Sequence, residues 1–564
     1  MAAGNPRNPR RDFLPRLWFN DFLVFIMRVP SGVSFEAALH GENLNETRGV
    51  QVKKYVTLPR RSAATLGTIV GEKLLLPAAV QIELRYSRGA RSSGREYEMK
   101  PINKILGSVG LFLALGVAAT GPARAARAGQ RPADAKPARS VQIPIQQVTL
   151  KNGLRVVLSE DHAAPTVSLC VTFDAGSRNE QSGHTGFAHL FEHMMFQGSQ
   201  NVGKGEHLIL VRVNGGDVNG TTNDDSTNYY ERVPANQLDM ALFLESDRMR
   251  ALRITQANLD NQRSTVQEER RLRMDNQAYG KTGEILEDLA YDNFAYKHST
   301  MGSMEDLNAA SLEDVARFFK MYYAPNNAVL TLVGDFKSPE AIEKIKKYFE
   351  DIPAQPAPPP VDTSEPAQTT ERRTVVEDSF ARLPRLDIVY KSVPANTPEW
   401  YALDMLGDIL FGGPSSRLYQ KLVKEKAVAL QVAGGIDLRR GPALFHAFVL
   451  MKPGQDPAEV EKLIYEEFEH VKTDGVTPAE LEKILIQDRL QQAESLTNTM
   501  NRARTLGRYA VYFHDPNLIN TTLANYSEVM SADIRRVART FLGETQRTVV
   551  LTTPKAQAQA APAH

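Results

Sequence analysis

Residues 186–199 read GFAHLFEHMMFQGS, and within them His189, Glu192 and His193 fall on one side of a single helical turn. Side chains at i and i+4 stand one above the other on a helix, so the two imidazoles can reach one metal ion at roughly 2.0–2.1 Å. Glu192, at i+3 from His189, comes close enough to touch a water on such a metal without being needed as a ligand, which suits a general base. The order H-x-x-E-H is the reverse of the commoner metal-binding order H-E-x-x-H.

A site of this kind needs a third protein ligand. In the run NLDNQRSTVQEERRLRMDN the residues Leu259, Val266 and Leu272 predict an inward helix face, and Glu269 lies three residues from both Val266 and Leu272. Its neighbour Glu268 is turned by about 100° and aims at the flank or solvent.

Several words in the chain resemble one family in its own order: GFAHLFEHMMFQGS, GGDVNGTTNDDSTNYY, VQEERR and YYAPNNAVLTLVGD, spread over residues 148–554. The family is that of the pitrilysin and mitochondrial-processing-peptidase zinc peptidases. The resemblance implies a catalytic set of His189, His193 and Glu269 as zinc ligands and Glu192 as base, with Zn2+ as cofactor and peptide hydrolysis as the reaction. It also implies that substrate adds as an extended strand to a sheet edge beside the metal, here residues 219–230, with Asn219 holding the peptide backbone. Two departures stand out. Many members carry a glutamate one heptad before the glutamate ligand, where this chain has Gln262. The family often presents an Arg and, seven residues later, a Tyr to the substrate carbonyl from the C-terminal half. In SSRLYQKLVKEKAVALQV those places hold Val423 and Leu430, unless Arg417 or Tyr419 substitutes. The departure implies a heterodimer in which a homologous partner lacking the zinc motif supplies Arg and Tyr.

Internal repetition sets the architecture. Residues 403–416, LDMLGDILFGGPSS, align with the metal motif at a constant offset of 411 − 196 = 215, Phe411 against Phe196. VARFF at Val315 is echoed by VARTF at Val537, each followed by an apolar strand. The fold class predicted is α+β: two homologous α/β-sandwich domains, 141–350 and 373–555, joined by a Pro-rich linker at 351–372, with a clamshell chamber formed by dimerisation and a short tail at 556–564. In the second copy Asp404, Gly407 and Asp408 replace His189, Glu192 and His193, so only the first copy carries the chemistry.

Within the first copy, VTLKNGLRVVLSED predicts a β-hairpin about Asn152-Gly153, and PTVSLCVTFDAG a third strand. The motif helix is expected to stop at Gly198, with further helices over 237–251 and 256–275. SLEDVARFFKMYY predicts a helix with Ser311 as N-cap and Asp314 completing a capping box.

At 564 residues, 42% hydrophobic and 24% charged, the chain has the composition of ordinary globular material. A net charge of +1 gives no reason to expect nucleic acid as a partner. The one cysteine, Cys170, falls in an alternating apolar run and reads as a buried strand thiol. Residues 99–125 combine a basic start, the apolar run 105–120 and small residues at Ala123 and Ala125, the pattern of a secretory signal peptide, with 126–140 as linker. Met99 is then the expected initiator and 1–98 a doubtful extension. The apolar run is short for a membrane span, and no other stretch approaches the ~20 residues needed. Export to the periplasm or beyond is expected. The alternatives are a mitochondrial presequence in the Arg-rich start (Arg7, Arg10, Arg11, Arg16), hence a matrix processing peptidase, or a non-catalytic core subunit.

Overall fold

The computed structural model describes residues 142–555, together with two backbone strands, Val33–Gly41 and Val80–Arg88, that pair antiparallel. The expected signal peptide, its following linker and the tail at 556–564 lie outside the described residues.

Two sheets organise residues 142–555. The first runs Gln146–Thr149, Arg155–Glu160, Ala328–Gly334, Thr166–Phe173, Thr227–Pro234 and Asp217–Thr222 from edge to edge. Every pairing is antiparallel except that of Arg155–Glu160 with Ala328–Gly334. The second runs Arg372–Asp378, Arg547–Pro554, Arg385–Lys391, Leu444–Met451 and Ala429–Ile436, again with one parallel pairing, between its first two strands. Without the outer strand Gln146–Thr149, the first sheet has the order and strand directions of the second. The fold is therefore α+β and built from two copies of one unit, as the repeat implies.

Local sequence accounts for the elements. Gly153, at φ 86°, turns the first hairpin, and Asn152 fastens that turn by donating Nδ2 hydrogen bonds to the carbonyls of Phe349 and Ile352 at 2.7 and 3.0 Å. Ala328–Gly334 is apolar on both faces apart from Thr331 and is buried throughout, as suits a strand covered on each side. The capping box forms as read: Ser311 and Asp314 satisfy each other's ends of helix Leu312–Tyr322. Cys170 is fully buried in strand Thr166–Phe173, and burial pushes its thiol up to about 12. Residues 353–370 connect the halves without regular structure. Glu365 pins them by accepting from the backbone amides of Asp292 and Asn293 at 3.0 and 2.8 Å.

Each half lends a helix to the other. Helix Thr499–Tyr512, from the C-terminal half, buries Ala503, Leu506, Ala510 and Val511 against Val157, Cys170, Val329 and Val333 on the back of the first sheet. Helix Thr282–Ala290, from the N-terminal half, buries Leu286 and Ala290 with Val389, Leu444 and Val550 on the second. Burial of these apolar surfaces joins the two copies into one body. Polar contacts then fix the register: the Gly441 amide donates to the Tyr296 hydroxyl at 2.9 Å, the Arg440 amide donates to Asp225 at 3.0 Å, and Arg439 pairs with Glu287 at 2.8 Å while lying over the rings of Tyr291 and Tyr296.

Gly507 lets the exchanged helix lie flush on the first sheet. A Cβ there would stand 2.6 Å from Thr172 Oγ1 and 3.2 Å from Thr331 Oγ1. Gly507→Val is expected to lower stability by about 1–3 kcal/mol through overpacking, read as a lower urea midpoint. An unchanged midpoint would mean that the helix is free to lift.

Candidate active site

The motif helix spans Phe187–Met194, so the expected stop at Gly198 is late. Phe196 and Gln197 still donate backwards, to the carbonyls of His193 and Met194 at 3.2 and 3.0 Å. These tighter closures end the α-helix, and Gly198 at φ 100° then turns the chain. An isolated helix of eight residues is unstable in water, so packing must hold it. Ala188, Leu190, Phe191 and Met194 are buried, with Phe191 stacked on Phe319 and tilted against Tyr323.

The start of this helix has no capping side chain of its own. Instead the buried carboxylate of Glu180 accepts from the amides of Gly186 at 2.9 Å and Ala188 at 2.7 Å, and His298 Nε2 lies 3.0 Å from the same carboxylate. A negative charge at a helix N-terminus satisfies orphan donors and complements the dipole. Gly186, at φ 83°, packs so closely on Gly302 that neither position has room for a Cβ.

On the open side of the helix the His189 and His193 rings lie 4.8 Å apart. Glu269 reaches them from helix Gln256–Arg270. Its Oε2 is 3.2 Å from His193 Nε2 and 3.8 Å from His189 Nε2, while Oε1 pairs with Arg273 at 2.9 Å. The hydrogen bond from His193 holds the Glu269 carboxyl below its usual range, and burial pushes His189 down to about 4. Glu268 is exposed and pairs with Arg271 at 3.0 Å, as the helix phase predicts. Leu272 does not share the inward face with Leu259 and Val266. It is 59% exposed, because six residues on from Val266 is about 240° of helix, well off that face, and the π-helical turn Arg271–Asp275 does not bring it back. Gln262 is buried and donates to Asn261 Oδ1 at 2.8 Å.

Glu192 stands beside this group, its carboxyl raised chiefly by burial. Thr222 Oγ1 donates to Glu192 Oε2 at 2.6 Å. Asn219 is exposed on the same edge strand, Asp217–Thr222, and its Oδ1 accepts from the Gly220 amide at 2.9 Å. It borders a cavity of about 340 Å³ with Tyr230, Asn498 and Asn501. Sequence reading passed over Thr222, Glu180 and Arg273. The alternation of Val218, Gly220 and Thr222 was the one available signal for Thr222, and Arg273, at i+4 from Glu269, was within helical reach.

In the second copy Asp404 accepts from the Tyr526 hydroxyl, and burial pushes its carboxyl up to about 7. Val423 packs into the second core and Leu430 is half exposed. Arg417 is held by Glu480 at 2.6 Å and Glu467 at 3.3 Å, so it is not free to stand in for the missing arginine.

The donor atoms of His189, His193 and Glu269 lie within 4.8 Å of one another. Two imidazole nitrogens and a carboxylate oxygen converging at a solvent-open position fit a borderline ion such as zinc. A second group, His207, Glu231 and Glu245, is wholly buried and includes a guanidinium: Arg248 Nε donates to Glu245 at 3.0 Å. Two carboxylates and one guanidinium need a single proton for neutrality, and a divalent ion would overshoot. Burial pushes Glu231 up to about 8, so it holds that proton near neutral pH and the group reads as structural.

Comparison with known proteins agrees with this geometry. Residues 155–303 match the family described as "Insulinase (Peptidase family M16)", and residues 309–487 match "Peptidase M16 inactive domain". The zinc protease PqqE of Helicobacter pylori is 30% identical over 414 residues, 72% of this chain and 93% of that protein. The probable mitochondrial-processing peptidase subunit beta of Arabidopsis thaliana is 26% identical over 267 residues, 46% of this chain and 49% of that protein. A crystal structure of a protease from Helicobacter pylori superposes with a TM-score of 0.71 at 30% identity, covering 73% of this chain and 100% of the other. With its paired sheets, the convergence of His189, His193 and Glu269, and these matches, the chain belongs to the M16 (insulinase) family of peptidases.

Proposed function

We propose that this chain is a zinc-dependent endopeptidase acting on peptides or unfolded protein segments. The observation that carries the reading is the convergence of His189, His193 and Glu269, with Glu192 alongside, next to an open sheet edge. The two histidines and Glu269 hold the ion. A zinc ion bound there supplies Lewis acidity, polarising the scissile carbonyl and making water a stronger acid. Glu192 takes the proton from the attacking water and returns it to the leaving amine.

Strand Asp217–Thr222 is the outermost strand of its sheet, so its free backbone groups can pair with a substrate strand. Backbone pairing gives affinity with loose sequence preference, and Asn219 is the side chain placed to hold the peptide backbone. Residues 141–350 form the catalytic domain and 373–555 the inactive wall, joined through 351–372.

The chain acts as the catalytic half of a heterodimer that closes a chamber. Neither Val423 nor Leu430 can donate a side-chain hydrogen bond to a developing oxyanion, and Arg417 is committed elsewhere. A homologous partner therefore brings the Arg and Tyr. Residues 99–125 direct export to the periplasm or beyond.

Glu192→Gln is expected to keep zinc and lower kcat by about 10²–10⁴-fold. His189→Ala, His193→Ala and Glu269→Ala should lose zinc and activity together, while Glu268→Ala retains both. Metal analysis beside peptide turnover checks this, and full activity of the Gln variant would sink the assignment. The isolated chain should bind zinc yet turn over slowly, with kcat rising strongly when the Arg/Tyr-bearing partner is added. High activity indifferent to any partner overturns the heterodimer. Expressed from Met99, the chain should be exported and trimmed near Ala125 or Ala128. Peptides from 1–98 in the mature protein would contradict that start.

A further inference from the structure

Strand Asp217–Thr222 does more than offer an edge. Its alternation turns Val218, Gly220 and Thr222 toward the motif helix, Val218 packing into the first core. At Gly220 a Cβ would stand 3.0 Å from Glu192 Cγ and 3.1 Å from Oε1, so the missing side chain is the space in which the carboxylate lies. Two residues on, Thr222 Oγ1 sits 2.6 Å from Glu192 Oε2. An ionised carboxylate only accepts, so the hydroxyl donates. Thr227, 3.4 Å from Thr222 Oγ1, donates to the Ala175 carbonyl at 2.9 Å, and the 2.6 Å contact to Glu192 is by far the shorter of the two open to the Thr222 proton.

We propose that Thr222 is a positioning residue that grips Oε2 of Glu192 and so makes Oε1, in the slot left by Gly220, the oxygen that carries the proton. The proposal rests on the zinc-peptidase reading. As water oxygen bonds to the scissile carbonyl carbon, its proton moves to Oε1. The C–N bond then breaks and that proton passes to the leaving nitrogen, so the carboxylate ends as it began. Thr222 donates to Oε2 throughout, before and after Oε1 is protonated. The edge that receives the substrate strand is thereby also the edge that aims the base.

The test uses Thr222→Val, which keeps the shape and loses the donor, and Thr222→Ser, which keeps the donor. Each is assayed for kcat and KM on an internally quenched peptide, for zinc content, and for the dissociation constant of a phosphinic peptide, whose oxygen accepts from protonated Glu192. The Val variant should lose about 10–100-fold in kcat and a similar factor in phosphinic-peptide affinity, with KM and zinc content unchanged, and Ser should restore both. Gly220→Ala, which crowds the carboxylate instead of releasing it, should show the same split with zinc retained. Wild-type kcat and phosphinic-peptide affinity in the Val variant would overturn the proposal, as would losses that follow zinc content or that Ser fails to restore. If turnover of the chain alone is too slow to resolve, the phosphinic-peptide affinities decide. Full activity of Glu192→Gln would remove the parent reading instead, whatever Thr222 does.

Discussion

Everything at the site depends on holding one short helix that has a buried side and a wet side. Phe187–Met194 is too short to be stable alone, and its two imidazoles turn away from the core toward Glu269, His189 buried and His193 partly exposed. The compensation comes from outside it. Phe191 packs into an aromatic group with Phe318, Phe319 and Tyr323, and Glu180 closes its N-terminus. The Gly186–Gly302 contact leaves no slack between the helix start and the segment after His298. Rigidity of the histidine pair is thus a property of the surrounding core, which suits a site where small displacements are costly.

That core is closed by the other half of the chain. The back of the first sheet would be an open apolar face without helix Thr499–Tyr512, and the second sheet would be bare without helix Thr282–Ala290. Neither half buries its own sheet on both faces. The second copy is therefore as necessary to the folded site as the residues that line it, and the two halves are joined through an exchange of helices instead of a simple interface.

Much of this was legible in sequence because it is periodic or local. The i, i+4 histidines, the Asn152-Gly153 turn, the Ser311 capping box and the 215-residue offset each depend on spacing alone. The face that points to Glu269 is only partly right: Leu272 lies about 240° of helix beyond Val266 and is exposed, and the phase set by Leu259 and Val266 alone turns Glu269 toward the histidines. Glu180 and Thr222 were invisible for another reason. Each acts on the motif helix through a contact made by tertiary folding, Glu180 from the preceding loop and Thr222 from 30 residues away.

The second copy shows what it takes to retire such a site. Helix Pro398–Phe411 keeps the position, and it keeps polar residues at two of the three motif places, Asp404 and Asp408. Carboxylates there do not rebuild a metal site. Asp404 is drawn into a hydrogen bond from Tyr526, and burial pushes it up to about 7. Gly407, where the base should be, lies so close to Gly435 that a Cβ would stand 2.8 Å from its Cα. The base position has been filled by the approach of the neighbouring strand, the opposite of the first copy, where Gly220 draws back to admit Glu192. The strand has a glycine in both copies, Gly220 in the first and Gly435 at the same 215-residue offset in the second. With the helix side chain also absent at Gly407, the strand closes onto the helix, so a carboxylate at position 407 would need the strand to move as well as the motif to change.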